Sequence, residues 1–535
     1  MVQNTSRPSR PSLLCRLILP VLLAAVLVAG CHLLTGSYFI EIEDRYANMI
    51  LSGAYGQPEA SVQNLHPLLG QLLALLYRVL PAINWYGVLL LALVFLAGAT
   101  AISLAAHRPG GLIPGFLVLS PLMILLTASL QSQVIAALCA VSGTLCLLSG
   151  LADGKQGAWR VLFGMILIAF GILLHTVTAW FLIACTLLCM LPGCLREHRT
   201  RTMLFSLPFL VLLIGALWGY DALLQQFDPA LAAYRTQYAV YDALQEGPLL
   251  EEAQHNTRTY GEITTLDGDD VHLDEEEAPT LDKQTALEQS VFHRVAGWTF
   301  NDADLFFRRN ASDTELTDPA TLKALAKEAP ILTTDVKLLF ESLKTTLKKM
   351  QFLLLLVLFL GCALVLQVTH RNRGLLALMA TFLALGGHLL MLMLRRTAFC
   401  DIAPFYLSGI LLLLYRFDPA QAREWWKRVV SSKILRSVIV SLILVCFVVG
   451  LGGIVVAMRN YNHAESPSLA AATDISDFMA SHPDAVLIGD NPIDRYNTNA
   501  LEVPQRGSYE RMFLGSYDLY SPRMQRFLEK TGMTN

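Results

Sequence analysis

Long apolar runs separated by short polar stretches dominate this chain. The runs Leu13–Thr35, Trp85–Ala105, Leu112–Ala128, Ser132–Leu151, Val161–His175, Val177–Pro192, Met203–Leu224, Phe352–Val368, Leu375–Leu394, Ile402–Tyr415 and Val438–Met458 each read as a bilayer-crossing helix. A run of roughly 18 or more apolar residues covers about 30 Å of hydrocarbon. At about 1.5 Å per residue, Val161–Pro192 is too long for one upright helix and short for two full ones. It is read as two short helices broken near His175. The pattern predicts an all-α polytopic membrane protein with about 11 transmembrane helices.

Charge orients the helices. Short loops rich in Lys and Arg face the cytoplasm. With the N-terminus inside, the inner loops hold Arg108, Lys155, Arg160, Arg196, Arg199, Arg201, Arg371 and Arg373, and the stretch before the last span adds Arg416 to Arg436. Outer short segments hold only Arg45, Arg78, Arg395 and Arg396. This bias predicts an odd number of spans, a cytoplasmic N-terminus and an extracytoplasmic C-terminal region in the cell membrane. Residues 1–458 then form the membrane domain, with a first outer loop at 37–84 and a large outer loop at 225–350. Residues 459–535 read as a small α/β extracytoplasmic domain, with a helix at Ala470–Ser481, a strand at Ala485–Gly489 and a helix at Pro522–Lys530.

The polar regions carry finer signals. Leu68–Leu80 is too short to span upright and is expected at the interface. The acidic tract from Asp267 to Glu277 lacks calcium-loop spacing and reads as a solvated loop. Thr317-Asp318-Pro319 starts a helix, with Pro at its first position, and Asp335–Lys348 is amphipathic.

Composition narrows the function classes. With 54% hydrophobic and 16% charged residues the chain is no soluble enzyme, and a net charge of −3 without a basic domain argues against nucleic acid. All ten cysteines lie in or beside apolar runs, which leaves no disulfide framework or zinc–cysteine site for the polar regions.

Candidate chemistry begins with Glu43 and Asp44, in the first polar stretch after the first span. Acidic pairs of this kind serve as general base, as ligands for a divalent cation, or as both, and they also occur in ordinary outer loops. Arg395 and Arg396 break the charge bias at the outer end of a span, and His388 precedes Arg395 by two helical turns, about 10 Å along the same face. Such a basic cluster suits a lipid-borne phosphate; snorkelling arginines are the plain alternative. His175, at the helix break, either lines a cavity or satisfies a backbone carbonyl. Trp298 and Asp302 are candidates for a substrate wall in the large loop, or for its packing.

These segments in order resemble the bacterial multi-spanning glycosyltransferases of the GT-C fold. The resemblance rests on the acidic pair, on Leu51-Ser52-Gly53-Ala54-Tyr55-Gly56, Pro67-Leu68-Leu69-Gly70, Leu75-Leu76-Tyr77-Arg78 and Asn84-Trp85-Tyr86, on Gly297–Asp302, and on Phe513-Leu514-Gly515 with Ser521-Pro522. It implies a polyprenyl-phosphate-linked sugar donor, a glycan or lipid acceptor, and transfer with inversion on the outer face of the membrane. It gives Asp44 the role of base with Glu43 as neighbour; the basic cluster of Arg395 and Arg396, read from the charge pattern, is then expected to hold the leaving lipid phosphate. Glu43 stands where members often have a second aspartate, which leaves a divalent cation open, and His175 stands where some have arginine, which weakens a phosphate role at 175. A flippase or polymerase of lipid-linked glycans is the alternative; it would more often show paired repeats and midplane charges. A non-catalytic member of the same fold is a third.

Overall fold

The computed structural model describes residues 17–63, 65–196, 200–245, 287–307, 316–329, 332–333, 336–369 and 374–464, and shorter pieces between 477 and 531. The acidic tract at 267–277 and most of the expected helix at 470–481 lie outside the described residues.

Each of the eleven apolar runs is helical over its described residues. In chain order the first part of the bundle is α1 (Leu19–Thr35), α2 (Ile42–Ser52), α3 (Pro67–Val79), α4 (Trp85–Ala106), α5 (Leu112–Ala128), α6 (Ser132–Ala152), α7 (Ala158–Leu174), α8 (Thr176–Arg196), α9 (Thr200–Phe227) and α10 (Pro229–Gln245). Among the described residues, seven helices are long and apolar enough to cross a membrane: Trp85–Ala106, Ser132–Ala152, Leu204–Leu224, Met350–Thr369, Gly374–Met393, Phe399–Arg416 and Lys433–Asn460. The helices at Leu19–Thr35, Leu112–Ala128, Ala158–Leu174 and Thr176–Pro192 are also apolar but shorter. The break at His175 is real: its extended backbone, φ −151° and ψ 92°, separates α7 from α8.

Helix α6 is the centre of the bundle, buried along nearly its whole length. Small residues let α7 approach it closely: a methyl on Gly143 would sit 2.8 Å from the Gly164 carbonyl oxygen, and one on Gly171 would sit 2.9 Å from that of Ala136. Where lipid supplies no hydrophobic drive between helices, such close van der Waals packing holds them together. Helix α3 buries Leu69, Leu73 and Tyr77 and exposes Leu68, Leu72, Leu75 and Val79. Its apolar outer face and 13-residue length, about 20 Å, match a helix lying at the interface.

The large loop has its own core. Helices α11 (Val291–Ala296), α12 (Phe300–Phe307) and α13 (Pro319–Glu328) pack Phe292, Trp298, Phe306, Leu322 and Leu325 against Tyr234, Tyr238 and Tyr241 of α10. The Asp318 carboxylate accepts from Thr321 N at 2.8 Å, capping α13 as its sequence predicts. After α14 (Val336–Lys348) come α15 (Met350–Thr369), then α16 (Gly374–Thr381) and α17 (Gly387–Met393), joined through a π-turn at Phe382–Gly386. The described chain continues with α18 (Phe399–Arg416), α19 (Pro419–Val429), α20 (Lys433–Ala464) and finally α21 (Pro522–Thr531).

Among the described residues sheet is almost absent. A two-residue strand β1 (Tyr38–Phe39) pairs in parallel with β2 (Ser129–Leu130), and β3 (Leu487–Ile488) pairs likewise with β4 (Met512–Phe513). The described part of the C-terminal region is fastened to the first loop by main-chain and side-chain contacts. Ala500 N donates to Ser37 O at 2.8 Å, Gly507 N donates to Gly53 O at 2.9 Å, and Asn84 Nδ2 donates to Glu502 O at 2.7 Å. Gly87 is where this segment crosses α4, because a Cβ there would lie 1.7 Å from Ala500 O. Gly87→Ala is expected to push the segment off and cost about 1–3 kcal/mol, the usual range for overpacking. Faster proteolysis of the 499–531 region and a lower melting temperature would register it; an unchanged digestion pattern would show that the contact is dispensable.

Candidate functional site

One polar cavity of about 100 Å³ gathers chemistry at a single end of the bundle. Its wall includes Glu41, Glu43, Asp44, His175, Arg396 and Asp401, completed by Ser132, Gln133, Tyr238 and Asp242. Four helices begin here, α2 at its N-cap Glu41 and three more. Ser132 opens α6, His175 directly precedes α8, and Ala398 is the N-cap of α18. The positive ends of these helix dipoles lie at this space and favour anions in it.

Each acidic group is held differently. After α1, Gly36 turns the chain at φ 73°, and β1 delivers Glu41 as the N-cap of α2. Glu43 and Asp44 fall in the first turn of α2, where the helix dipole favours negative charge. Asp44 is 3% exposed. Its Oδ1 accepts from the Tyr86 hydroxyl at 2.5 Å and its Oδ2 from Ser132 N at 2.9 Å, so it caps α6 from a distant segment. The Tyr86 ring stacks on Phe39, with centroids 5.5 Å apart. Tyr86 N in turn donates to the Tyr77 hydroxyl at 3.1 Å, and that hydroxyl lies 2.7 Å from Asn84 Oδ1. The carboxylate thus sits on a fixed network that locks its rotamer.

Burial pushes the Asp44 carboxyl up from its ordinary pKa, against the hydrogen bonds from Ser132 and Tyr86 that favour the anion. Glu41 is pushed up to about 7, first by burial and then by the charges of Glu43 and Asp44; its hydrogen bond with Cys400 pulls the other way. Like charges this close keep a proton among them near neutrality.

Arg396 is the cation of the cavity. Arg395 adopts a left-handed backbone, φ 65°, and Arg396 N donates to Met391 O at 2.9 Å, which terminates α17. The Arg396 guanidinium then lies between two carboxylates, 3.8 Å from Asp242 Oδ2 and 3.9 Å from Asp401 Oδ1. Gln133 Nε2 donates to Asp401 at 3.3 Å. A wider cleft of about 840 Å³ shares Gln63, Tyr238, Asp242 and Arg396 with the cavity and runs between α9 and α10. It is open where α9 carries Trp218, 75% exposed, among other exposed apolar side chains.

Four of the residues singled out from sequence therefore meet: Asp44, Glu43, His175 and Arg396. The others sit elsewhere. His388 is buried, with Nδ1 2.8 Å from the Tyr406 hydroxyl and its ring stacked on Phe352. Arg395 Nη1 donates to Ser342 Oγ at 3.2 Å, away from the cavity lining. Trp298 packs on Phe306, centroids 4.9 Å apart, inside the loop core. The Asp302 carboxylate accepts from Thr299 N and Oγ1 at 2.8 Å, which holds the start of α12. Sequence reasoning passed over Glu41, Asp242 and Asp401. Glu41 stands two residues before Glu43, and Asp401 is an acid at the edge of an apolar span, itself a usable signal. Asp242 carries no such mark.

Among the described residues no group of three His, Cys, Asp or Glu side chains is arranged to hold a metal ion. Comparison with protein-family models, with curated proteins and with solved structures found no match.

Proposed function

We propose that this membrane protein transfers a sugar from a polyprenyl-phosphate-linked donor to an acceptor hydroxyl, with the reaction in the carboxylate cavity. The observation that carries the reading is the meeting of Asp44, held by Tyr86 and Ser132, with the Arg396 guanidinium across one small polar space. The motif resemblance to GT-C glycosyltransferases and the apolar mouth of the α9–α10 cleft agree with a lipid-borne donor. In the proposed reaction the acceptor O–H gives its proton to Asp44, and its oxygen attacks the anomeric carbon. The bond from that carbon to the phosphate oxygen breaks with inversion, and the lipid phosphate leaves with the electron pair. Arg396 and the nearby helix N-termini stabilise charge growing on the phosphate, where preorganised donors act most strongly. The cavity faces outside in this reading, with the N-terminus in the cytoplasm.

Glu41 sets the pH dependence. Its proton is present below about 7 and absent above, and its ionisation makes the cluster a stronger base. Transfer in liposomes carrying a polyprenyl-phosphate sugar is expected to rise with pH through about 7 in wild type. In Glu41→Gln that rise should flatten. The folded state should also lose stability as pH climbs from the ordinary carboxylate range through the raised pKa, because the native protein binds the extra proton. A complete absence of transfer from every polyprenyl-phosphate sugar offered would sink the reading.

A further inference from the structure

Away from the carboxylate cavity, a second polar cleft of about 430 Å³ opens between the first loop and helix α21. Arg523, Arg526 and Lys530 line it from one face of α21, at the three- and four-residue spacing of helical neighbours. Arg506 faces them from the segment before, and Glu59 and Glu510 are the carboxylates in the wall. Arg526 pairs with Glu59, and Lys530 Nζ lies 2.6 Å from Glu510 Oε1. Arg506 donates to two neutral acceptors, Gly56 O at 3.3 Å and Gln57 Oε1. Arg523 is 5% exposed and its guanidinium lies 4.0 Å from the Tyr55 ring centroid, which fixes the floor. Four cations against two carboxylates leave the wall two charges positive, in a chain whose net charge is −3.

We propose that this cleft binds an acidic saccharide, a sugar bearing a carboxylate or phosphate group. Guanidinium forks match both anions bidentately. The amide NH₂ of Gln57, in the wall, is a donor suited to hydroxyl groups. The volume lies within the roughly 300–1,000 Å³ usual for small-molecule pockets and exceeds what a bare anion needs. The charged wall does not suit a lipid chain. The loop that forms one side, Tyr55–Glu59, leads within a few residues to Gln63 in the carboxylate cavity. As the docking site of an acceptor chain the cleft rests on the sugar-transfer reading; as a saccharide site it stands without it.

The test is calorimetric titration of the full chain in phosphatidylcholine nanodiscs with trigalacturonate, glucose 6-phosphate, maltotriose and inorganic phosphate. At least one acidic sugar should bind, and maltotriose should bind at least tenfold more weakly. Affinity for the acidic sugar should fall as salt rises and fall about tenfold or more in Arg506→Gln/Lys530→Gln, both exposed positions, with the melting temperature unchanged. Arg526→Gln is an independent second variant with the same expectation. Glu41→Gln should bind like wild type, so a failure of the transfer reading would leave this result standing. The proposal is overturned by no binding of either acidic sugar, by equal affinity for maltotriose or for inorganic phosphate alone, or by affinity indifferent to all these substitutions.

Discussion

Asp44→Asn is expected to lower sugar transfer by about two to four orders of magnitude, the usual contribution of a positioned base. The substitution keeps the fold because the amide can satisfy both partners. Its oxygen accepts from Ser132 N, and its NH₂ turns to the Tyr86 hydroxyl, which is able to accept as well as donate. Donor affinity should change little, since the carboxylate acts on the acceptor. Tyr86→Phe supplies the comparison: it removes one hydrogen bond to the same carboxylate and should cost about 1–3 kcal/mol of stability with a smaller loss of rate. Transfer kinetics and melting temperature of the two variants, side by side, separate the chemical role from the structural one. Full activity in Asp44→Asn would reduce the residue to a cap on α6.

Arg396→Gln carries the second large effect. A charge-assisted contact to phosphate contributes roughly 1.5–3 kcal/mol, so donor affinity should weaken by roughly 10–150-fold. Arg395→Gln should leave it nearly unchanged, because that side chain reaches Ser342 instead. The pair of neighbours thus separates a specific site from a general basic patch, and equal losses in both would favour the patch. The variant also leaves Asp242 and Asp401 without their shared cation, so its stability should be followed alongside.

The helices were legible because membrane spans must satisfy their backbone internally, which forces long apolar runs that any reader of the pattern sees. The break at His175 and the capped start at Asp318 were legible for local reasons, length in one case and side-chain capping in the other. The acidic pair stood out because charge is rare beside such runs. What joins it to Arg396 was not legible, since α2 and the α17–α18 turn lie some 350 residues apart and meet only through the packed bundle. His388 shared a helical face with Arg395 in the pattern, yet the π-turn before it and the Tyr406 hydroxyl direct it into the core. For Trp298 and Asp302 a substrate wall and loop packing were not separable in the sequence, because the loop's private core depends on tyrosines of α10, far away in sequence. The fastening of the C-terminal segment left little trace, because its main-chain hydrogen bonds carry no side-chain signature beyond glycines such as Gly87 and Gly507, and its ion pair joins Glu59 to Arg526, 467 residues away.

The most direct test of the central claim is electron cryomicroscopy of Asp44→Asn in nanodiscs with a bound polyprenyl-phosphate sugar. The account predicts the lipid chain in the α9–α10 cleft, the phosphate within hydrogen-bonding distance of Arg396, and the anomeric carbon facing the position of residue 44. A donor phosphate seated on any other part of the protein, with the carboxylate cavity holding none, would contradict it.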